Sequence, residues 1–461
     1  MLVRFNIKNF LSFPYEEKSQ EFSMIAGKVR NKRERVHDVS KLKILKFAAV
    51  YGGNAAGKSN LIKAMDFMQR TIIRRLPQGY TSLYCKAKES NIDKASYFEM
   101  EILINQKCYS YGFEIILNKG QFISEWLIEL HDGGEKVVFT RDILQKQYHF
   151  DNYFKDKTLK AKLKGYAEDI AEEDTVLLLP MLSKNKSSLY SRYNEIQIFQ
   201  DIYSWIKNKL DINHPNAPIS DYSYMANKEN IEEVYKMVSA FGTGITGVEI
   251  VPVELDNVLR KLPKEITKEI LEEIEKRIVE LKKNGDVEVR LSKGTIMRSN
   301  DEFFMLEVSG SGKIECKTIQ FKHGKEKNLF EIREESDGTK RILDLIEILL
   351  VGASNKTYVI DELDRCLHPR LTYKFIELFL KIAEKREIQL IVTTHESRLL
   401  DFDLLRRDEI WFIDKNKMGE SNIYSLEEYN TRFDQKIDRA YLEGRYGGVP
   451  IFDAVFPIRE E

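Results

Sequence analysis

The chain has 461 residues, of which 43% are hydrophobic and 31% charged, with 72 Lys plus Arg against 73 Asp plus Glu. That length and mixture exclude a disordered chain and allow two to three domains. No run approaches the ~20 apolar residues of a membrane helix, and the start MLVRFNIKNF lacks the apolar core and cleavage site of a secretory leader. Cys85, Cys108, Cys316 and Cys366 are scattered without paired metal-ligand spacing. The expectation is a cytoplasmic protein with reduced thiols and no membrane contact. The formal net charge of -1 decides nothing about nucleic acid, because a balanced chain can still carry a basic face.

In chain order, Val3, Phe5 and Ile7 alternate with Arg4, Asn6 and Lys8, the pattern of a strand with one buried face. Asn9-Phe10 follows, and Phe10 reads equally as a contact to a nucleobase or as a core aromatic. Residues 27–38, GKVRNKRERVHD, form a polar tract with Lys28, Arg30, Lys32, Arg33 and Arg35. Three readings stay open for it: contact with a nucleic-acid backbone, an arginine supplied to a nucleotide in a dimer, or a solvated loop. Residues 44–51, ILKFAAVY, read as a buried strand, and 60–73, NLIKAMDFMQRTII, as a helix with apolar residues at helical spacing.

Between strand and helix lies GGNAAGKS, a complete Walker A pattern. Strand, glycine-rich turn and helix N-terminus are what phosphate binding needs, because backbone N–H groups then face the anion and the helix adds positive potential. Gly52, Gly53, Asn54, Ala55, Ala56, Gly57 and Asn60 make up the cradle, Lys58 is expected to reach the β- and γ-phosphates, and Ser59 to hold Mg²⁺.

Residues 96–104, 109–117 and the run ISEWLIEL are β-prone and suit an antiparallel sheet, giving an N-terminal lobe over 1–135. The middle, 136–299, is polar and largely helical by pattern. It holds the lysine-rich KDKTLKAKLK at 155–164, the aromatic residues Phe199, Tyr203 and Trp205, and one amphipathic stretch at 264–283 with Ile266, Ile270, Ile274, Ile278 and Leu281 on one side. This is a compact insertion and a docking place for a partner, too short for a long coiled-coil arm. The C-terminal lobe occupies 300–461.

In that lobe, Ser336, Asp337, Gly338 and Thr339 form a small-residue turn before a helix, and Asp337 or Ser336 can cap it. The turn reads either as a simple capped start or as a loop that binds the γ-phosphate of a nucleotide held by a second subunit. Residues 357–362, TYVIDE, read as a strand delivering two carboxylates: Asp361 for Mg²⁺ and Glu362 to polarise the attacking water. IQLIVTTH, residues 388–395, ends at His395, whose imidazole suits a sensor of the γ-phosphate. Gln106 and Gln121 are weak candidates for a further glutamine in the site. Near the C-terminus Arg432, Lys436, Arg439 and Arg445 accompany Phe433, Tyr441 and Tyr446, a packing or interface tract.

Together FNIKNFLSF, VYGGNAAGKSNLIKAM, FGTGITGVEI, ESDGTKRILDL, YVIDELDRCLHP, TTHESRLLD and YLEGRYGGVPIFD resemble the ABC-type ATPase heads of the SMC, RecF and OLD groups, and within these the bacterial AAA15 (RloA-like) ATP-binding proteins. The resemblance implies an α/β ABC-type head, with a P-loop core sheet, an antiparallel N-terminal sheet and a largely helical middle insertion. It implies ATP and Mg²⁺ as cofactors, with Lys58, Ser59, Asp361, Glu362 and His395 catalytic or phosphate-facing. Ser336, Asp337 and Gly338 would act in trans within a homodimer or higher oligomer, and Asp364 would couple its two sites. It further implies an ATP-driven switch in anti-phage defence, triggered by DNA or a phage-derived molecule and controlling a separate effector, since no nuclease motif stands in this chain. A DNA-repair clamp and a non-hydrolysing scaffold remain as alternatives.

Overall fold

The computed structural model describes the chain except residues 30, 40–41, 132, 151–152, 171–172, 216, 218, 220–222, 226–227, 261–266, 269–271, 273–294, 300–301, 309–313, 326–327, 351–354, 430–436 and 448–461. It divides into two compact units. One comprises Met1–Pro215, Ala353–Asp364 and Thr372–Glu461, the other Asn216–Gly352 and Arg365–Leu371. Residues 136–215 thus belong with the N-terminal segment.

The first unit is built on a six-stranded sheet in the order Leu210–Asn213, Thr357–Ile360, Gln389–Thr393, Phe47–Tyr51, Ile410–Lys415, Ser421–Ser425. The first five strands run parallel, and only the last is antiparallel. The strands Thr357–Ile360, Gln389–Thr393 and Phe47–Tyr51 are buried at every position, as continuous β-prone runs must be when both faces of a parallel sheet are covered. The tract expected as one strand over 44–51 is interrupted. Leu42–Leu45 pairs with Val36–Val39 in a separate ribbon, and Lys46, buried at the break, donates to Ala383 O at 2.5 Å. A lysine amino group inside a parallel sheet needs an acceptor, and the break lets it reach one.

The helix Lys58–Ile73 follows the central strand and buries Leu61, Ile62, Met65, Met68 and Ile72, the face its spacing requires. A seven-stranded antiparallel sheet joins Leu2–Lys8 to Gln20–Ser23 on one side and, on the other, to Ser96–Ile104, Lys107–Ile116, Gln121–His131, Gly134–Asp142 and Gln147–His149. The fully buried Gln389 ties the two sheets together. Its Oε1 accepts from Leu2 N at 2.9 Å and Thr357 Oγ1 at 3.0 Å, and its Nε2 donates to Leu2 O and Leu45 O, both at 2.9 Å. All four hydrogen-bonding positions of the amide are used, the condition for a stable buried polar group.

The second unit holds an antiparallel sheet ordered Ile245–Val253, Ile314–His323, Glu302–Val308, Thr295–Ser299, with Leu329–Glu331 also paired to Ile314–His323. The helices Lys228–Ala240 and Asp337–Leu350 accompany it. The amphipathic stretch at 264–283 lies almost wholly outside the described residues. The fold is therefore α/β with a P-loop core sheet and an antiparallel N-terminal sheet. No helix among the described residues is long and apolar enough to cross a membrane.

Candidate active site

Five parallel strands ending at one edge bring the P-loop, the carboxylate turn and the histidine turn together, because each follows the C-terminal end of its strand. There a cavity of about 290 Å³ is lined by Gly53, Asn54, Ala55, Ala56, Gly57, Lys58, Ser59, Asn60, Glu362, His395 and Lys415. Lys415 was not singled out from sequence. Nothing in its local pattern distinguishes it from a solvated lysine at a strand end.

The loop conformation depends on its glycines. Gly57 has φ +120°, and a Cβ there would stand 2.5 Å from Ser421 Oγ and 2.9 Å from Ser12 Oγ. At Gly52 a Cβ would meet Ile413 O at 2.4 Å. The two serines form a hydrogen-bonded brace behind the loop. Ser421 Oγ donates to Ala56 O at 2.5 Å and lies 2.7 Å from Ser12 Oγ, which accepts from Asn60 Nδ2 at 2.7 Å. Asn60 therefore holds the loop's shape from behind as well as lining the cavity.

Lys58 Nζ donates to Gly52 O at 2.7 Å and Gly53 O at 3.1 Å. Burial pushes its ammonium down to about 8, against the opposing pull of Asp361, Asp364 and Glu362. His395 is lowered from its ordinary value by burial and then by the Lys58 charge, so its imidazole is neutral near pH 7 and can both donate and accept.

The carboxylate turn is organised by Thr393, fully buried in the neighbouring strand. Its hydroxyl donates to Asp361 Oδ1 at 2.6 Å and accepts from Glu362 N at 2.8 Å. Glu362 itself has φ 51°, a left-handed conformation uncommon for a residue with a Cβ. Asp364 accepts from His395 N through both carboxylate oxygens at 3.3 Å, so the carboxylate turn and the histidine turn are joined within one chain. Thr393 and this second use of Asp364 were not read from sequence, since a threonine in a β-prone run is unremarkable by composition.

In the second unit, Ser336 is the cap of the helix that follows it: its Oγ accepts from Thr339 N at 3.1 Å and lies 2.8 Å from Thr339 Oγ1. Asp337 and Gly338 open the helix, and a Cβ on Gly338 would be 2.9 Å from Cys366 O. Ser336, Asp337, Gly338 and Asp361 are not among the residues lining the cavity.

Phe10 takes the core reading. It is 1% exposed and packs with Phe67 and Phe98, each at 5.2 Å between ring centroids. In the basic tract, Lys32 Nζ donates to Phe402 O and Leu405 O, and Arg35 Nη1 donates to Leu404 O. These two cations bind the loop to its own chain. Gln121 donates to Asp174, and Gln106 lines a different cavity. Tyr441 and Tyr446 stack on Phe412 at 5.6 and 5.8 Å, a packing role, whereas Arg432, Phe433 and Lys436 lie outside the described residues.

Residues 47–175 and 256–401, more than half of the chain, match the family described as "AAA domain, putative AbiEii toxin, Type IV TA system". The chain belongs to this AAA-domain family. Among solved structures, this AAA-domain protein is similar to an Smc head bound to the C-winged helix domain of ScpA, at 13% identity and TM-score 0.43, covering 93% of this chain and 98% of that one. It is also similar to the SMC head domain from Thermotoga maritima, at 14% identity and TM-score 0.36, with 92% and 98% covered. A third is the Smc head domain with a coiled coil and joint from Pyrococcus yayanosii, at 13% identity and TM-score 0.38, with 93% and 99% covered. No curated protein matches the sequence of this AAA-domain protein.

Proposed function

We propose that this protein binds and hydrolyses ATP and that the cycle drives a dimeric switch. The observation that carries the reading is the convergence of Lys58, Ser59, Glu362 and His395 on one cavity behind a glycine-braced loop, with Thr393 fixing the adjacent Asp361-Glu362 turn. The donor set suits Mg²⁺. Ser59, in the cavity lining, and Asp361, next to the lining residue Glu362, would hold the ion through hard oxygens. Mg²⁺ would neutralise charge on the β- and γ-phosphates.

The protein's own groups do the rest. Lys58 leaves the carbonyls of Gly52 and Gly53 for the stronger acceptors of the phosphate chain. Glu362 accepts a hydrogen bond from the attacking water and aligns it, and His395 donates to the γ-phosphate. Ser336, Asp337 and Gly338, at a helix start that favours anions, complete the site of a second copy. Asp364, tied to the His395 turn, passes the state of one site to the other. Control of a separate effector in a defence system, with DNA or a phage-derived molecule as trigger, accords with the toxin–antitoxin wording of the family and with the likeness to AAA15 (RloA-like) proteins. A cytoplasmic location belongs to the same reading.

The test is ATP hydrolysis with molar mass in solution for the wild type and Glu362→Gln. The variant is expected to bind ATP, lose at least ~100-fold in turnover and gain mass when Mg²⁺-ATP is added. Unchanged turnover in Glu362→Gln would refute the assignment of the water-orienting group.

A further inference from the structure

The far end of the P-loop helix carries a second cavity, of about 370 Å³, in the first unit. Its lining includes Arg74, Arg75, Lys184 and Lys186 and not one carboxylate. The nearest acid in sequence, Asp174, accepts from Gln121 Nε2 at 2.9 Å. Four cations gathered without an anion repel one another, and a helix C-terminus alone accounts for only part of the set. Two of them are held in place: Lys184 Nζ donates to Ile73 O at 3.2 Å, and Lys186 Nζ stands 4.0 Å over the Tyr166 ring. Arg74 and Arg75 are exposed.

Beside the cations the wall has a buried polar position and an apolar side. Thr71 lines the same cavity, is only 5% exposed, and its Oγ1 is buried without a hydrogen-bond partner. That hydroxyl is itself shielded from the cavity, so the four cations carry the recognition. The apolar part of the wall includes Phe122, Pro180 and Met181, and Arg141 Nη1 pins the backbone of Val176 beside them at 2.6 Å. The wall thus joins an apolar side to a cationic one.

We propose that this cavity binds a nucleoside phosphate, its phosphate among Arg74, Arg75, Lys184 and Lys186 and its base on the apolar wall. The volume suits a single nucleotide, and guanidinium groups are the strongest side-chain recognisers of phosphate. The nucleotide is either free or the 5′-phosphorylated end of a nucleic-acid strand. The tract at 27–38 leaves this task open, since its Lys32 and Arg35 are engaged by backbone carbonyls of their own chain. The site lies at the other end of a 16-residue helix from the P-loop, about 24 Å away at the α-helical rise, and its assignment does not depend on the ATPase reading.

The experiment titrates the full chain, as wild type and as the P-loop variant Lys58→Ala, with two fluorescent probes, thymidine 5′-monophosphate and a 5′-phosphorylated hexathymidylate. Lys58→Ala should bind at least one probe at one site per chain, as tightly as the wild type binds it there. The double variant Arg74→Ala, Arg75→Ala should bind at least tenfold more weakly, with a shallower salt dependence. Binding of the monophosphate assigns a free nucleotide, and binding of the oligonucleotide alone assigns a strand end. No binding of either probe by Lys58→Ala, or equal binding by the double variant, would overturn the proposal.

Discussion

Thr393 shows how a single hydroxyl can set an active-site turn. It satisfies Asp361 and Glu362 N at once from a fully buried position. Thr393→Val keeps the shape and deletes both bonds, so turnover is expected to fall ~10–100-fold, the usual effect of losing a supporting partner, with a stability loss of about 1–3 kcal/mol from the groups left unpaired. Steady-state kinetics with a denaturation curve checks both. A loss of stability without a loss of turnover would reduce Thr393 to a packing residue.

Lys58 makes a pH-dependent prediction at the same scale. Its ammonium titrates at about 8 in the folded protein and at the ordinary 10.5 in the unfolded chain. Between those values the unfolded chain holds a proton that the folded one has released, so this group's contribution makes the free protein more stable as pH rises through that window. Bound phosphate restores the charge. ATP binding near pH 9 is therefore expected to take up a proton, read by calorimetry in buffers of different ionisation enthalpy. Uptake should vanish below about pH 7, where Lys58 is already protonated.

At the scale of elements, the P-loop is a strained turn held by a brace from a distant turn and a distant strand. Ser12 and Ser421 meet behind Gly57 although 409 residues separate them in the chain. Gly57→Ala puts a Cβ into both hydroxyls at a φ of +120°. It is expected to cost at least ~2 kcal/mol and to abolish ATP binding, whereas Ser421→Ala should fold normally and only weaken binding. Equilibrium dialysis with ATP, beside thermal melts of both variants, separates the two effects. The opening strand and the core sheet are likewise coupled by one buried amide, that of Gln389, through two hydrogen bonds to Leu2.

For the whole molecule, the proposed switch requires each composite site to draw on two copies. Lys58→Ala disables the P-loop, and Ser336→Asp keeps a helix-capping oxygen while adding a negative charge that repels phosphate. Each variant alone should be inactive. An equimolar mixture forms mixed dimers with one intact composite site, so activity should return to about a quarter of the wild type for a two-fold dimer. A mixture as inactive as its parts would exclude the trans arrangement while leaving the P-loop reading untouched.

The sequence by itself determined the chemistry-bearing stations: GGNAAGKS, TYVIDE and IQLIVTTH, each after a β-prone run. It did so because glycine turns, strand-end carboxylates and apolar periodicity are local and survive in one dimension. The apolar face of the helix at 58–73 and the antiparallel strands near 96–130 were legible for the same reason. Tertiary structure alone decided what lies beside those stations. The interruption at Lys46, the bridging by Thr393, the inward use of Lys32 and Arg35, and the clustering of Arg74 and Arg75 with Lys184 and Lys186 all join residues that no local pattern connects. Hydrogen-bond satisfaction and charge placement are properties of neighbours in space, and a buried hydroxyl or an engaged lysine reads in sequence like any other.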